Sequence, residues 1–145
     1  MATSPSAVTL ATPAPAAAGL PALWFGLFGA AAAWSVQELA SYALLAHACY
    51  PSWYPLAAPV TSAAWPFAAV VSLAALLVSV AAVLTALRAW RHTRLGRAEA
   101  KAHHAEVGEG RVSFMALSGV LVSSIFLSNI VMNAIVLFVV PPCAM

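Results

Sequence analysis

Three long apolar runs divide the chain, at about residues 20–48, 62–87 and 112–140. Each is long enough to cross a hydrocarbon core that takes about 20 helical residues. Glu38 is the single charged residue within them. The pattern predicts an all-α membrane protein: three transmembrane helices in an up-down-up bundle, forming one transmembrane domain over residues 20–145. Residues 1–19 are rich in Ala, Pro, Ser and Thr, with Pro5, Pro13 and Pro15, and read as a disordered tail. No positive charge opens the chain and the first apolar run continues to about Cys49, so that run reads as a retained span and not as a secretory signal.

Local signals refine the spans. Pro66 falls in the first turn of the second, where the ladder loses little. Ser72, Ala75, Ser79, Ala82 and Ala86 recur there at helical spacing, a strip of small residues of the kind that lets helices approach closely in lipid. Pro141 and Pro142 stop the third span. The connector over 49–61 carries Tyr50, Pro51, Trp53, Tyr54, Pro55 and Pro59, a composition suited to the membrane-water interface. The connector over 88–111 contains Gly108 and Gly110, which should break any helix continuing from the second span.

Composition agrees. Apolar residues make up 63% of the chain and charged residues 7%, with a mean hydropathy of +0.94. A soluble domain carries about 25% charged residues. The net charge of +2 does not describe a basic surface, because all six Lys and Arg residues (Arg88, Arg91, Arg94, Arg97, Lys101 and Arg111) lie in the second connector. Nucleic acid is therefore not an expected partner; the lipid bilayer is. Spaced every three or four residues, these side chains suit a short helical extension of the second span that meets anionic headgroups.

The same residues set an orientation. By the positive-inside rule their connector is cytoplasmic, which places the amino terminus in the cytoplasm and the carboxyl terminus outside, periplasmic in a bacterial inner membrane. Cys49 and Cys143 then share an oxidising face, and a Cys49–Cys143 disulfide is expected. The alternative is a Cu(I) site using His47, Cys49, Cys143 and Met145, whose imidazole, thiolate and thioether groups suit a soft metal. No metal or other cofactor is predicted. A transmembrane haem needs two axial ligands on facing helices, and His47 is the single histidine near a span. His103 and His104 read as a solvated pair.

A carboxyl group within a span usually faces a bundle interior or a water-filled path. At about 100° per residue, Trp34, Ser41, Tyr42 and Cys49 fall within roughly a quarter-turn of Glu38, with Gln37 at the edge of that arc. The third span offers a matching polar side of Ser118, Ser124, Ser128, Asn129 and Asn133, with Ser123 off it. The two stripes should face one another. They serve either as hydrogen-bonding groups between helices, with Glu38 neutral, or as a proton or ion path through Glu38. The chain has no G-x-x-x-x-G-K-[ST], H-E-x-x-H, G-x-S-x-G or Cys-x-x-Cys, so no enzyme is expected.

Three stretches taken together resemble a known group: Trp24-Phe25-Gly26-Leu27-Phe28-Gly29 leading to Trp34 and Tyr42, then Cys49-Tyr50-Pro51, and Arg111-Val112-Ser113-Phe114-Met115-Ala116 leading to Ser123, Phe126 and Pro141-Pro142-Cys143. They are similar to uncharacterised small proteobacterial inner-membrane proteins often encoded beside cytochrome oxidase genes. Where that group would place a proline before the tryptophan of the first span, this chain reads Ala32-Ala33-Trp34. The resemblance implies a bacterial inner membrane and a part in oxidase assembly, and it supplies no functional residues. The resulting expectation is a non-catalytic accessory that packs against a larger membrane complex or against copies of itself. The alternatives are a small transporter built on Glu38 and a copper-handling accessory.

Overall fold

The structure is a computed structural model describing residues 19–52, 54–100, 109–140 and 143, apart from the side chains of residues 95–100, 109 and 110. Among the described residues the chain forms α1 (Leu20–Cys49), α2 (Ala64–Ala100) and α3 (Glu109–Val139), each packed against both others. The helices alternate in direction, giving the up-down-up bundle. Leu20–Cys49, Ala64–Arg94 and Arg111–Val139 are long and apolar enough to cross a membrane, and the protein is a multi-pass membrane protein. The expected tail over 1–18 lies outside the described residues.

Backbone chemistry sets the helix ends. The Gly19 carbonyl accepts from the amides of Ala22 at 2.9 Å and Leu23 at 3.3 Å, and Pro21 sits where a helix needs no donor. At the other end the Tyr50 amide closes on Ala46 O at 2.8 Å before Pro51 ends the ladder. The connector to α2 folds back on the same helix end, with the Leu56 amide donating to Cys49 O and the Val60 amide to Ala48 O, both at 2.9 Å.

Two boundaries differ from expectation. The second span does not give way to a connector at Arg88: α2 continues to Ala100, so Arg88, Arg91 and Arg94 ride on a helix, in keeping with the extension inferred from their spacing. Gly110, expected as a breaker, lies in the first turn of α3. The first amides of a helix have no internal partner, so glycine costs less there than in an interior. Gly108 lies outside the described residues.

The interior is built from small side chains. Among the described residues nine of the twelve buried apolar residues are alanines, while Leu39, Leu77, Phe114, Ile125 and Met132 are exposed. That distribution reverses a soluble core and is the one lipid favours, since large apolar side chains gain nothing by leaving hydrocarbon, whereas small ones let backbones touch. On α2 the buried stripe runs Ala64, Ala68, Ser72, Ala75, Ser79, Ala82, Ala86 and Ala89, extending the predicted strip at both ends.

The three backbones come closest at Gly26, Ala86 and Gly119. A methyl group on Gly119 would lie 3.2 Å from the Gly26 carbonyl oxygen, and one on Gly26 would lie 3.2 Å from the Ala86 Cβ and 3.3 Å from its backbone nitrogen. Ser123, one turn along α3, donates to Gly26 O at 2.6 Å. Leu23, Ala89 and Ala116 fill the bundle beside this crossing.

Gly119→Val should lower stability by about 1–3 kcal/mol in detergent, because the obstructing atoms are backbone that cannot move aside. Gly29→Ala should stay within about 1 kcal/mol of wild type. There the nearest atom belongs to the half-exposed Phe25 ring, at 3.0 Å, which can swing into lipid while the helix gains a better former. Thermal unfolding of the two variants side by side checks both.

Candidate functional site

Two features lie toward the end of the bundle where α1 finishes: a disulfide at the helix tips and a polar pocket deeper between the helices. Cys49 and Cys143 are bridged, with a Cα–Cα separation of 5.4 Å and a sequence separation of 94 residues. Cys49 is buried in the last turn of α1. Cys143 follows the end of α3 with a φ of 65°, left-handed for a non-glycine residue, at the point where the chain turns back toward α1. Beside the bridge is a cavity of about 650 Å³ lined by Tyr42, Leu45, His47 and Tyr50 with both cysteines. In this form neither sulfur is a thiolate, so the sequence-based copper set loses two of its ligands. Met145 lies outside the described residues.

The pocket is built on Gln37 and Glu38. The helical rise from Cys49 back to Glu38 is about 16 Å, roughly half the hydrocarbon thickness, which puts Glu38 near the middle of the span. Gln37 is 2% exposed and donates through Nε2 to Ser72 Oγ on α2 at 3.1 Å. Its carbonyl oxygen, Oε1, is buried without a hydrogen-bond partner; among the described residues Ser79 Oγ is the other such atom. Glu38 is half-buried at the edge between α1 and α3, and Asn133 Nδ2 donates to its Oε1. These groups, with Ser41 and Tyr42, line a cavity of about 210 Å³. One turn from Glu38 toward the basic end of the bundle, the Trp34 ring on α1 packs against Phe126 on α3, with centroids 5.3 Å apart.

The expected facing of two polar stripes is met in part. Asn133 meets Glu38, but Ser124, Ser128 and Asn129 bond only to carbonyls of their own helix, at Val120, Ser124 and Ile125. Ser128 and Asn129 are exposed. Ser123, placed off the polar side by periodicity, is instead fully buried and joins α3 to α1. Gln37, at the margin of the stripe by periodicity, is buried in the bundle, while Tyr42 is 75% exposed. The missed signals are Gly26-x-x-x-Ala30 and Gly119-x-x-x-Ser123, small residues one turn apart that mark each helix's inner face.

At the basic end Arg88, Arg91, Arg94 and Arg111 are exposed, and the Arg94 guanidinium lies 4.3 Å from the centroid of the Trp90 ring. A cation over an indole beside a membrane surface keeps its charge toward the headgroups while its stem covers the ring. The Arg97 side chain and Lys101 lie outside the described residues. No family model, curated protein or solved structure matches the chain.

Glu38→Gln keeps an oxygen for Asn133 to donate to and should change stability by less than about 1 kcal/mol, whereas Asn133→Leu removes the donor and should cost about 1–3 kcal/mol. Thermal unfolding in detergent separates the two. Thiol titration of the denatured protein should find no free thiol before reduction and two after it, and reduction should lower stability by about 2–4 kcal/mol.

Proposed function

We propose that this protein is a non-catalytic accessory or assembly component that packs against a larger membrane complex, with α3 as the docking face. The observation that carries this reading is the exposure of Asn129 and Ser128 in the middle of α3. Asn129 lies about 15 Å by helical rise from the end of that helix, near the centre of the span. Its side chain bonds the Ile125 carbonyl at 2.9 Å and turns its remaining amide capacity outward. Hydrocarbon offers no hydrogen bonds, and a carboxamide facing it gains on the order of 1 kcal/mol from a polar group on another helix. Ile125, Met132 and Val136 flank it with apolar surface.

The resemblance to small proteins encoded beside cytochrome oxidase genes makes a respiratory oxidase of a bacterial inner membrane the first partner to test, with a second copy of this chain as the other. By the positive-inside rule the arginine-bearing end of α2 is cytoplasmic and the disulfide periplasmic. A second reading, a small transporter or proton path through Glu38, draws support from the cavity at that residue. Against a path crossing the bundle stands the backbone contact of Gly26, Ala86 and Gly119.

Tagged full-length protein extracted in mild detergent should elute with the oxidase, read as haem absorbance in the same fraction and as oxidase subunits identified there. Asn129→Leu should reduce that association by about fivefold while leaving the disulfide formed, since it removes the outward polar group, worth on the order of 1 kcal/mol, without touching the bundle. A protein that travels alone and monomeric from every mild extraction overturns the reading.

A further inference from the structure

We propose that the pocket between Gln37 and Glu38 binds a monovalent metal cation, reached from the disulfide end of the bundle. This goes beyond docking and does not depend on it. Leu45, Val136 and Leu137 form the apolar part of the pocket wall, and the polar part is rich in oxygen acceptors. Asn133 Nδ2 engages one oxygen of the Glu38 carboxyl group, leaving the other, and Gln37 Oε1 is fully buried with nothing to accept from. Ser41, Tyr42 and Ser72 are further hydroxyl-bearing residues of the same 210 Å³ wall, with Ser72 Oγ engaged by Gln37 Nε2. Hard cations take carboxylate, amide and hydroxyl oxygens as ligands.

Charge selects the valence. Glu38 is the single acidic residue in the three spans. One cation of unit charge makes the site neutral, whereas a divalent ion would leave net charge in a low-dielectric interior at a cost of several kcal/mol. A buried carbonyl dipole without a partner is itself unfavourable, and a cation beside it satisfies the oxygen that no protein donor reaches.

The geometry also gives the site an entrance. Tyr42 and Leu45 line both this pocket and the 650 Å³ cavity beside the Cys49–Cys143 bridge, so the two spaces adjoin through those side chains. In the other direction Trp34 packs on Phe126, and beyond it the backbones of α1, α2 and α3 touch at Gly26, Ala86 and Gly119. A cation entering past Tyr42 is held at Glu38 and has no continuing route at the crossing. The arrangement is that of a binding site and not of a conduit.

The test heats the full chain, purified in detergent with its bridge intact, in NaCl, KCl or choline chloride at equal ionic strength. NaCl or KCl should raise the unfolding midpoint above that in choline chloride by on the order of 4 °C at about ten times the dissociation constant. Glu38→Gln, which keeps the Asn133 contact, should abolish the rise, and Gln37→Leu should weaken the apparent affinity at least about tenfold. Asn129→Leu should leave the rise intact, which separates failure of this proposal from failure of the docking reading. Coinciding midpoints in the three salts, or a rise that survives Glu38→Gln, overturns the proposal. Should Glu38→Gln not fold, modification of wild-type Glu38 by dicyclohexylcarbodiimide, followed by intact mass, gives a second measurement. Alkali cations should slow it at least about threefold relative to choline, on the same occupancy argument, and equal rates overturn the proposal.

Discussion

Everything in this bundle follows from the contact of three backbones at Gly26, Ala86 and Gly119. Hydrophobicity cannot hold helices together in hydrocarbon, because a leucine is as well solvated by lipid as by another leucine. What remains is close packing and polar bonds between helices. Here both occur at one level: the Gly26 carbonyl lies within contact of Gly119 and accepts the Ser123 hydroxyl at 2.6 Å. The alanine and serine stripe of α2 extends that closeness along the bundle, which is why its buried residues are small from Ala64 to Ala89.

Tight packing at one level leaves room at another. Toward the disulfide end the inner faces carry Gln37, Ser72 and Asn133 with Glu38 at the margin, groups that line the 210 Å³ pocket. The helices are tied there by other means: the Cys49–Cys143 bridge, the Gln37 to Ser72 bond, and Trp65, whose Nε1 donates to Leu137 O at 3.2 Å while its ring meets Phe138 edge-on. A pocket with polar walls is thus sustained in the middle of an apolar protein, with a covalent link securing its open end. The close crossing seals the opposite side.

The spans were legible because run length alone distinguishes a membrane helix, and the α2 strip because its period is near 3.5 residues. The disulfide follows from two cysteines just at or past the C-terminal ends of α1 and α3, which run parallel in an up-down-up bundle. The inner face of α1 was harder to read. Gln37 and Glu38 differ by about 100° around the helix, and charge drew attention to Glu38, whereas glycine spacing points to Gln37. Ser123 and Ser124 pose the same problem on α3. In both helices the inner face follows the residue one or more turns from a glycine, because backbone approach sets which side turns inward and polarity then adapts. The extension of α2 past Arg88 was legible in the three- and four-residue spacing of its basic residues, since a change in composition from apolar to basic marks the edge of the membrane and not the end of the helix.

Asn129 and Gln37 carry similar polar groups at comparable depth, and their surroundings assign them different tasks. Gln37 is enclosed by this chain, so whatever satisfies its oxygen must enter the pocket and be small. Asn129 is open to the bilayer, so whatever satisfies it arrives laterally, on another helix. The two proposals, an ion for the enclosed group and a protein for the exposed one, thus differ by exposure and not by residue type. Because α3 presents Asn133 to the pocket and Asn129 to the outside one turn apart, a helix docking on α3 would press on the same turn that holds Glu38. The proposed cation site and the proposed docking face thus occupy neighbouring turns of one helix, each with a polar group of its own.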